Sequence, residues 1–81
     1  MTEKIINVME KVNELEKKGR VAGKKITSIN KLDGIKYFLG ENEWVLFRFS
    51  GTEPLLRIYS EASSAKNVME NLEFGKKLAG I

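Results

Sequence analysis

The sequence predicts an α+β fold: a four-stranded antiparallel sheet with two helices on one face, in the order α-β-β-β-β-α. Three observations carry this. Apolar residues recur at helical spacing at both ends of the chain. Between about 26 and 61 the pattern changes to short β-rich runs. Those runs are separated by Asp33-Gly34 and by Gly40-Glu41-Asn42-Glu43, turn sequences short enough to join antiparallel neighbours. A meander with helices packed on one side buries both patterns at once.

The first helix is expected over 3–18. Thr2 suits its N-cap and Glu3 its positive dipole end. Ile5, Met9 and Val12, joined by Ile6, Val8 and Leu15, form the apolar stripe. Lys17 and Lys18 suit the last turn, and Gly19 supplies a left-handed stop. Residues 21–25 read as a short basic loop. The run 26–32 alternates poorly and is expected as a weak strand at an edge or with a bulge. The second strand spans 35–39, with Ile35, Tyr37 and Leu39 on one face. The third, 44–49, is apolar on both faces and therefore central. The fourth, 55–61, turns Leu56 and Ile58 inward and Arg57 and Tyr59 outward. Leu46 and Ile58 are expected beneath the helices. Ser63 or Ser64 caps a last helix to about 79, with a stripe of Ala65, Val68, Met69, Leu72 and Leu78 and a weak point at Gly75.

Eighty-one residues allow one small domain. The chain has neither cysteine nor histidine. Disulfides, thiolate metal sites, Ser-His-Asp and Cys-His triads and the usual acid/base near neutral pH are thereby excluded. No apolar run is long enough to span a membrane and no basic-then-apolar signal peptide is read at the N-terminus. A cytoplasmic location is the expectation. The formal charge is +3. Residues 1–31 hold eight Lys or Arg against four Glu. That bias favours anionic partners weakly, and it equally suits a solvated helix face followed by a basic loop. The chain opens directly on a helix and ends on Gly80-Ile81, the pattern of a piece of something longer.

Chemistry concentrates between the third and fourth strands, in Arg48-Phe49-Ser50-Gly51-Thr52-Glu53-Pro54 and Arg57. Ser50 and Thr52 are short hydroxyl donors. Gly51 permits a positive φ that lets successive N–H groups converge on an anion. Arg48 offers a planar fork matched to phosphate oxygens. Pro54 fixes the exit without removing a needed ladder bond. The set makes a phosphate cradle without a helix N-terminus. The same composition also suits an inert loop, with Arg48 lying along Trp44 or Phe47 and Glu53 bridging to Arg57 at the surface.

The fifteen residues from Arg48 to Ala62, RFSGTEPLLRIYSEA, resemble the signature of the C-terminal domain of the α-D-phosphohexomutase family, the phosphoglucomutase/phosphomannomutase enzymes. Asp33-Gly34, the strand 35–39 and Trp44-Val45-Leu46 fit that domain's approach to the loop. The resemblance is close over 32–62 and covers the flanking helices in pattern only. Phe49 departs from the family's common proline, which loosens the turn but removes no donor. Tyr59 with Glu61 is more similar to the glucose/mannose branch than to the glucosamine branch.

The resemblance implies that residues 1–81 are the C-terminal domain of a four-domain enzyme. Such enzymes interconvert sugar 1- and 6-phosphates through a phosphoserine and a bisphosphorylated sugar. Their Mg2+, phosphoserine and sugar-recognition loop lie in the first three domains. The last domain has a TATA-box-binding-protein-like fold, carries the phosphate loop and closes the cleft. Carried over, Arg48, Ser50, Gly51 and Thr52 grip the non-reacting phosphate, while Glu53, Pro54 and Arg57 order the loop. No catalytic residue and no metal ligand falls in this chain, so it is expected to be inactive alone. The implied partners are glucose or mannose phosphates and the other three domains, with no nucleic acid and no membrane. The rival classes are a basic nucleic-acid-binding module, suggested by the N-terminal lysines and the Trp44 strand, and a structural interaction module with the loop inert.

Overall fold

The structure is a computed structural model and describes residues 3–49 and 56–80, with side chains from 7 onward. The elements are α1 (Glu3–Lys18), β1 (Arg20–Val21), β2 (Lys24–Lys25), β3 (Ser28–Asn30), β4 (Ile35–Gly40), β5 (Glu43–Phe49), β6 (Leu56–Glu61) and α2 (Ala65–Ala79). The four longer-range strands form one antiparallel sheet in the order β3-β4-β5-β6, with β5 central as expected.

Helix α1 matches its expected span. Val8, Val12 and Leu15 are buried, and the Gly19 N–H donates to Leu15 O at 2.9 Å with Gly19 at φ 74°. Thr2, its expected cap, and the side chains of Ile5 and Ile6 lie outside the described residues. The expected loop 21–25 is instead a miniature hairpin, β1 paired with β2. Ala22 and Gly23 turn it with φ of 53° and 79°, the two consecutive left-handed residues that match the twist of a tight hairpin. Val21, isolated among charges in the sequence, is fully buried. The weak strand 26–32 contracts to β3 at the sheet edge. Asn30 Oδ1 accepts from Leu32 N at 2.9 Å, and this local bond ends the strand and starts the turn.

The face toward the helices carries Tyr37, Val45 and Phe47, all fully buried, with Ile35, Leu39, Phe49, Leu56 and Ile58 packed around them. Tyr37 and Phe47 meet edge to face, with centroids 6.3 Å apart. The Tyr37 hydroxyl donates to Val12 O at 2.6 Å and fastens α1 to the sheet. Burial, helped by the Glu16 carboxylate, pushes the Tyr37 phenol up to about 12, so it remains a donor. Ile58 is on the inward face as expected; Leu46 is not. Leu46 lies level with Lys36 and Tyr59 on the opposite face. Alternation alone could not decide between two apolar faces of β5; the company of Tyr37 and Ile58 decides it.

Ser64 caps α2, its Oγ accepting from Asn67 N at 3.2 Å, and Gly80 closes it at φ 77°. The buried stripe is Asn71, Gly75 and Ala79, rotated from the expected one, and Met69 is 56% exposed. Gly75 is no weak point. A Cβ there would lie 3.0 Å from Ile58 Cδ1 and 3.2 Å from Phe47 Cε1, so glycine lets the helix settle onto the sheet.

Candidate functional site

The candidate segment follows Phe49 at the end of β5 and precedes Leu56 at the start of β6. Ser50, Gly51, Thr52, Glu53 and Pro54 lie outside the described residues. The strands that launch and receive it are described. Arg48 and Arg57 face each other directly across β5 and β6, both exposed and both on the sheet face away from the helices. Cross-strand side chains start about 5 Å apart, and like charges so placed repel. Strand pairing thus sets two arginines opposite each other on the strands that flank the Ser-Gly-Thr segment in sequence.

The turn between β3 and β4 closes on the same rim. Asp33 Oδ1 lies 3.5 Å from Arg48 Nε. Gly34 makes this approach possible. At φ 90° it lies so close to β5 that a Cβ would stand 2.5 Å from Phe47 O and 3.1 Å from Arg48 Cα. Lys31 reaches Glu16 of α1 at 3.0 Å and ties the turn to the helix.

Neither aromatic expected beneath Arg48 is available to it. Lys36 Nζ occupies the Trp44 ring face, 4.1 Å from the centroid, and Phe47 is buried on the other side of the sheet. A bridge from Glu53 to Arg57 falls outside the described residues.

The far end of the sheet holds a polar cluster that sequence reasoning missed. Lys24 Nζ meets Glu43 Oε2 at 2.8 Å and donates to Asn71 Oδ1 at 2.9 Å. Asn71 Nδ2 donates to Glu43 Oε2 at 2.9 Å and to Ser60 Oγ at 3.1 Å, and Ser60 donates to Trp44 O at 2.9 Å. Burial works against the Glu43 charge, but the Lys24 ammonium and the Asn71 and Asn67 amides outweigh it and hold the carboxyl below its usual range. The only sequence signal was an asparagine at an inward helical position. Its partners are too distant along the chain to be read without the fold. Every buried polar side chain described is satisfied, so the cluster is scaffold. Among the described residues no group of three or more His, Cys, Asp or Glu is placed to hold a metal ion, and no helix is long and apolar enough to cross a membrane.

The described frame is a helix-flanked antiparallel sheet with Arg48 and Arg57 paired on the two strands that flank the Ser-Gly-Thr segment in sequence. The family model for the phosphoglucomutase/phosphomannomutase C-terminal domain matches residues 3–74, and the chain belongs to that family. A phosphoglucomutase/phosphomannomutase of Thermococcus kodakarensis is 47% identical over 62 residues, covering 76% of this chain and 13% of the relative. A phosphoglucosamine mutase of Methanocaldococcus jannaschii is 51% identical over 47 residues, covering 58% of this chain and 10% of the relative. The chain thus spans about an eighth or less of the curated relatives it matches.

Proposed function

We propose that this domain grips the non-reacting phosphate of a phosphosugar for a parent mutase, through Arg48, Ser50, Gly51 and Thr52. The relatives are mutases by name, one of glucose and mannose phosphates and one of glucosamine phosphate. The observation that carries the reading is the Arg48–Arg57 register pair beside the segment. Two cations held opposite each other cost the sheet stability, and a dianion between them recovers it. Arg57 therefore serves the phosphate as well as ordering the segment with Glu53 and Pro54.

Holding the remote phosphate positions the reacting end of the sugar, so that binding energy far from the chemistry is used at the chemistry. The domain closes the parent's cleft over the substrate. The parent's Mg2+, phosphoserine and bisphosphorylated intermediate belong to its other three domains, and this chain alone is inactive. With glucose 1-phosphate, glucose 1,6-bisphosphate and Mg2+ supplied, the purified chain should yield no glucose 6-phosphate, and turnover would overturn that expectation.

The binding role is tested by chemical-shift titration with glucose 6-phosphate. The Ser50, Gly51 and Thr52 amides should move at millimolar ligand, and Arg48→Ala should abolish the shifts while leaving the dispersed spectrum of the fold. Unmoved amides would end the reading in favour of an inert module. The nucleic-acid alternative is weakened by Lys36, which already covers the Trp44 face that a base would stack on.

A further inference from the structure

We propose that Asp33 is a built-in counter-ion of the anion site, which occupies Arg48 in the free protein and must yield it when phosphate binds. The inference rests on the phosphate-binding reading above and deepens it. Asp33 does not reach Arg48 by accident of a long side chain. The backbone of the turn is pressed against β5 at Phe47 and Arg48, in a space where a Cβ at position 34 would not fit. The Asn30 side chain sets the start of the turn, and Lys31 in it meets Glu16 of α1 at 3.0 Å. The carboxylate is therefore delivered beside the guanidinium by a fixed piece of chain.

The chemistry sets the sign. The carboxylate lies 3.5 Å from Nε. A phosphate bound by the same guanidinium is brought within a few ångströms of that negative charge. Either the pair separates or two anions share one cation. Both are unfavourable, and both lower the affinity of the site. Arg48 and Asp33 are half or more exposed, so the pair itself contributes little to folding, while its charge still acts on a ligand at contact distance. Asp33 thus sets the grip weak enough for release.

The test compares the full chain with Asp33→Asn and with Glu73→Gln, which removes an equal charge from α2. Inorganic phosphate and glucose 6-phosphate are titrated at low salt and again near 1 M salt. Asp33→Asn should bind both about three- to tenfold tighter at low salt, the gap closing where the screening length falls to about 3 Å. Glu73→Gln should match the parent within about twofold. If the parent binds and Asp33→Asn binds equally or more weakly, the counter-ion role is wrong and the phosphate reading stands. Equal tightening by Glu73→Gln would also overturn it, as an effect of net charge. If neither the parent nor Asp33→Asn binds either probe, the phosphate reading falls and takes this inference with it.

Discussion

The two ends of β5 carry opposite kinds of electrostatics. At one end Glu43 is mostly buried and surrounded by Lys24, Asn71 and Asn67, with every polar atom matched. At the other, about 17 Å along the strand, Arg48 is half exposed, faces a second arginine and has Asp33 alongside. Matched and buried charge holds elements together; exposed and unbalanced charge is what the proposed phosphate grip would draw on. Both ends contain an ion pair, so the presence of a salt bridge does not separate scaffold from site. Burial and balance do.

The sharpest challenge to this contrast lies in the core between the two ends. Ile58→Ala should cost about 2–5 kcal/mol, whereas Leu46→Ala, on the opposite face, should cost about 1 kcal/mol. Equal midpoints in urea would mean that the inward face is misassigned. Gly34→Ala should lose about 2–4 kcal/mol, because its Cβ meets backbone rather than a movable side chain and its φ disfavours alanine. A parent-like melting temperature there would remove the reason for the turn's close approach.

At the scaffold end, Glu43→Gln should cost about 1–3 kcal/mol and flatten the acid limb of stability. The sign follows from the lowered carboxyl. The charge stabilises the fold above the ordinary carboxylate range, and that contribution is lost as pH falls through the folded value. An unchanged acid limb in the variant would show that the cluster contributes nothing as a charged unit. Tyr37 gives the converse limb. Its raised phenol favours the fold below about pH 10 and loses that advantage between about 10 and 12, and Tyr37→Phe should abolish the loss. Smallest in stability is Arg48→Ala, expected within about 0.5 kcal/mol of the parent while phosphate shifts vanish. A large destabilisation there would make Arg48 scaffold and dissolve the contrast.

Much of this arrangement was legible in the residues. Helical spacing in α1, the Asp33-Gly34 turn and the inward placement of Ile58 each follow from a local rule with one reading. The errors arose where two readings were locally equal. Leu46 and Val45 are both apolar, and only register with Tyr37 chooses between them. Gly75 reads as a weak point within the helix until Ile58 and Phe47 are seen where its side chain would be. Val21 and Asn71 gave almost no signal, since one sits among charges and the other is polar in an apolar stripe. Of the site, Arg48 and Arg57 fall on the strands expected, and their opposition follows from pairing. The contact of Asp33 with Arg48 was not legible, because it depends on how tightly a turn lies against a neighbouring strand.

The sheet margin at β3 has a consequence for behaviour in concentrated solution. A foreign strand docking there would find only three residues of ladder, with Lys25 and Lys31 bracketing them. So brief a template recruits other chains poorly, and fibrillar growth from that side is discouraged.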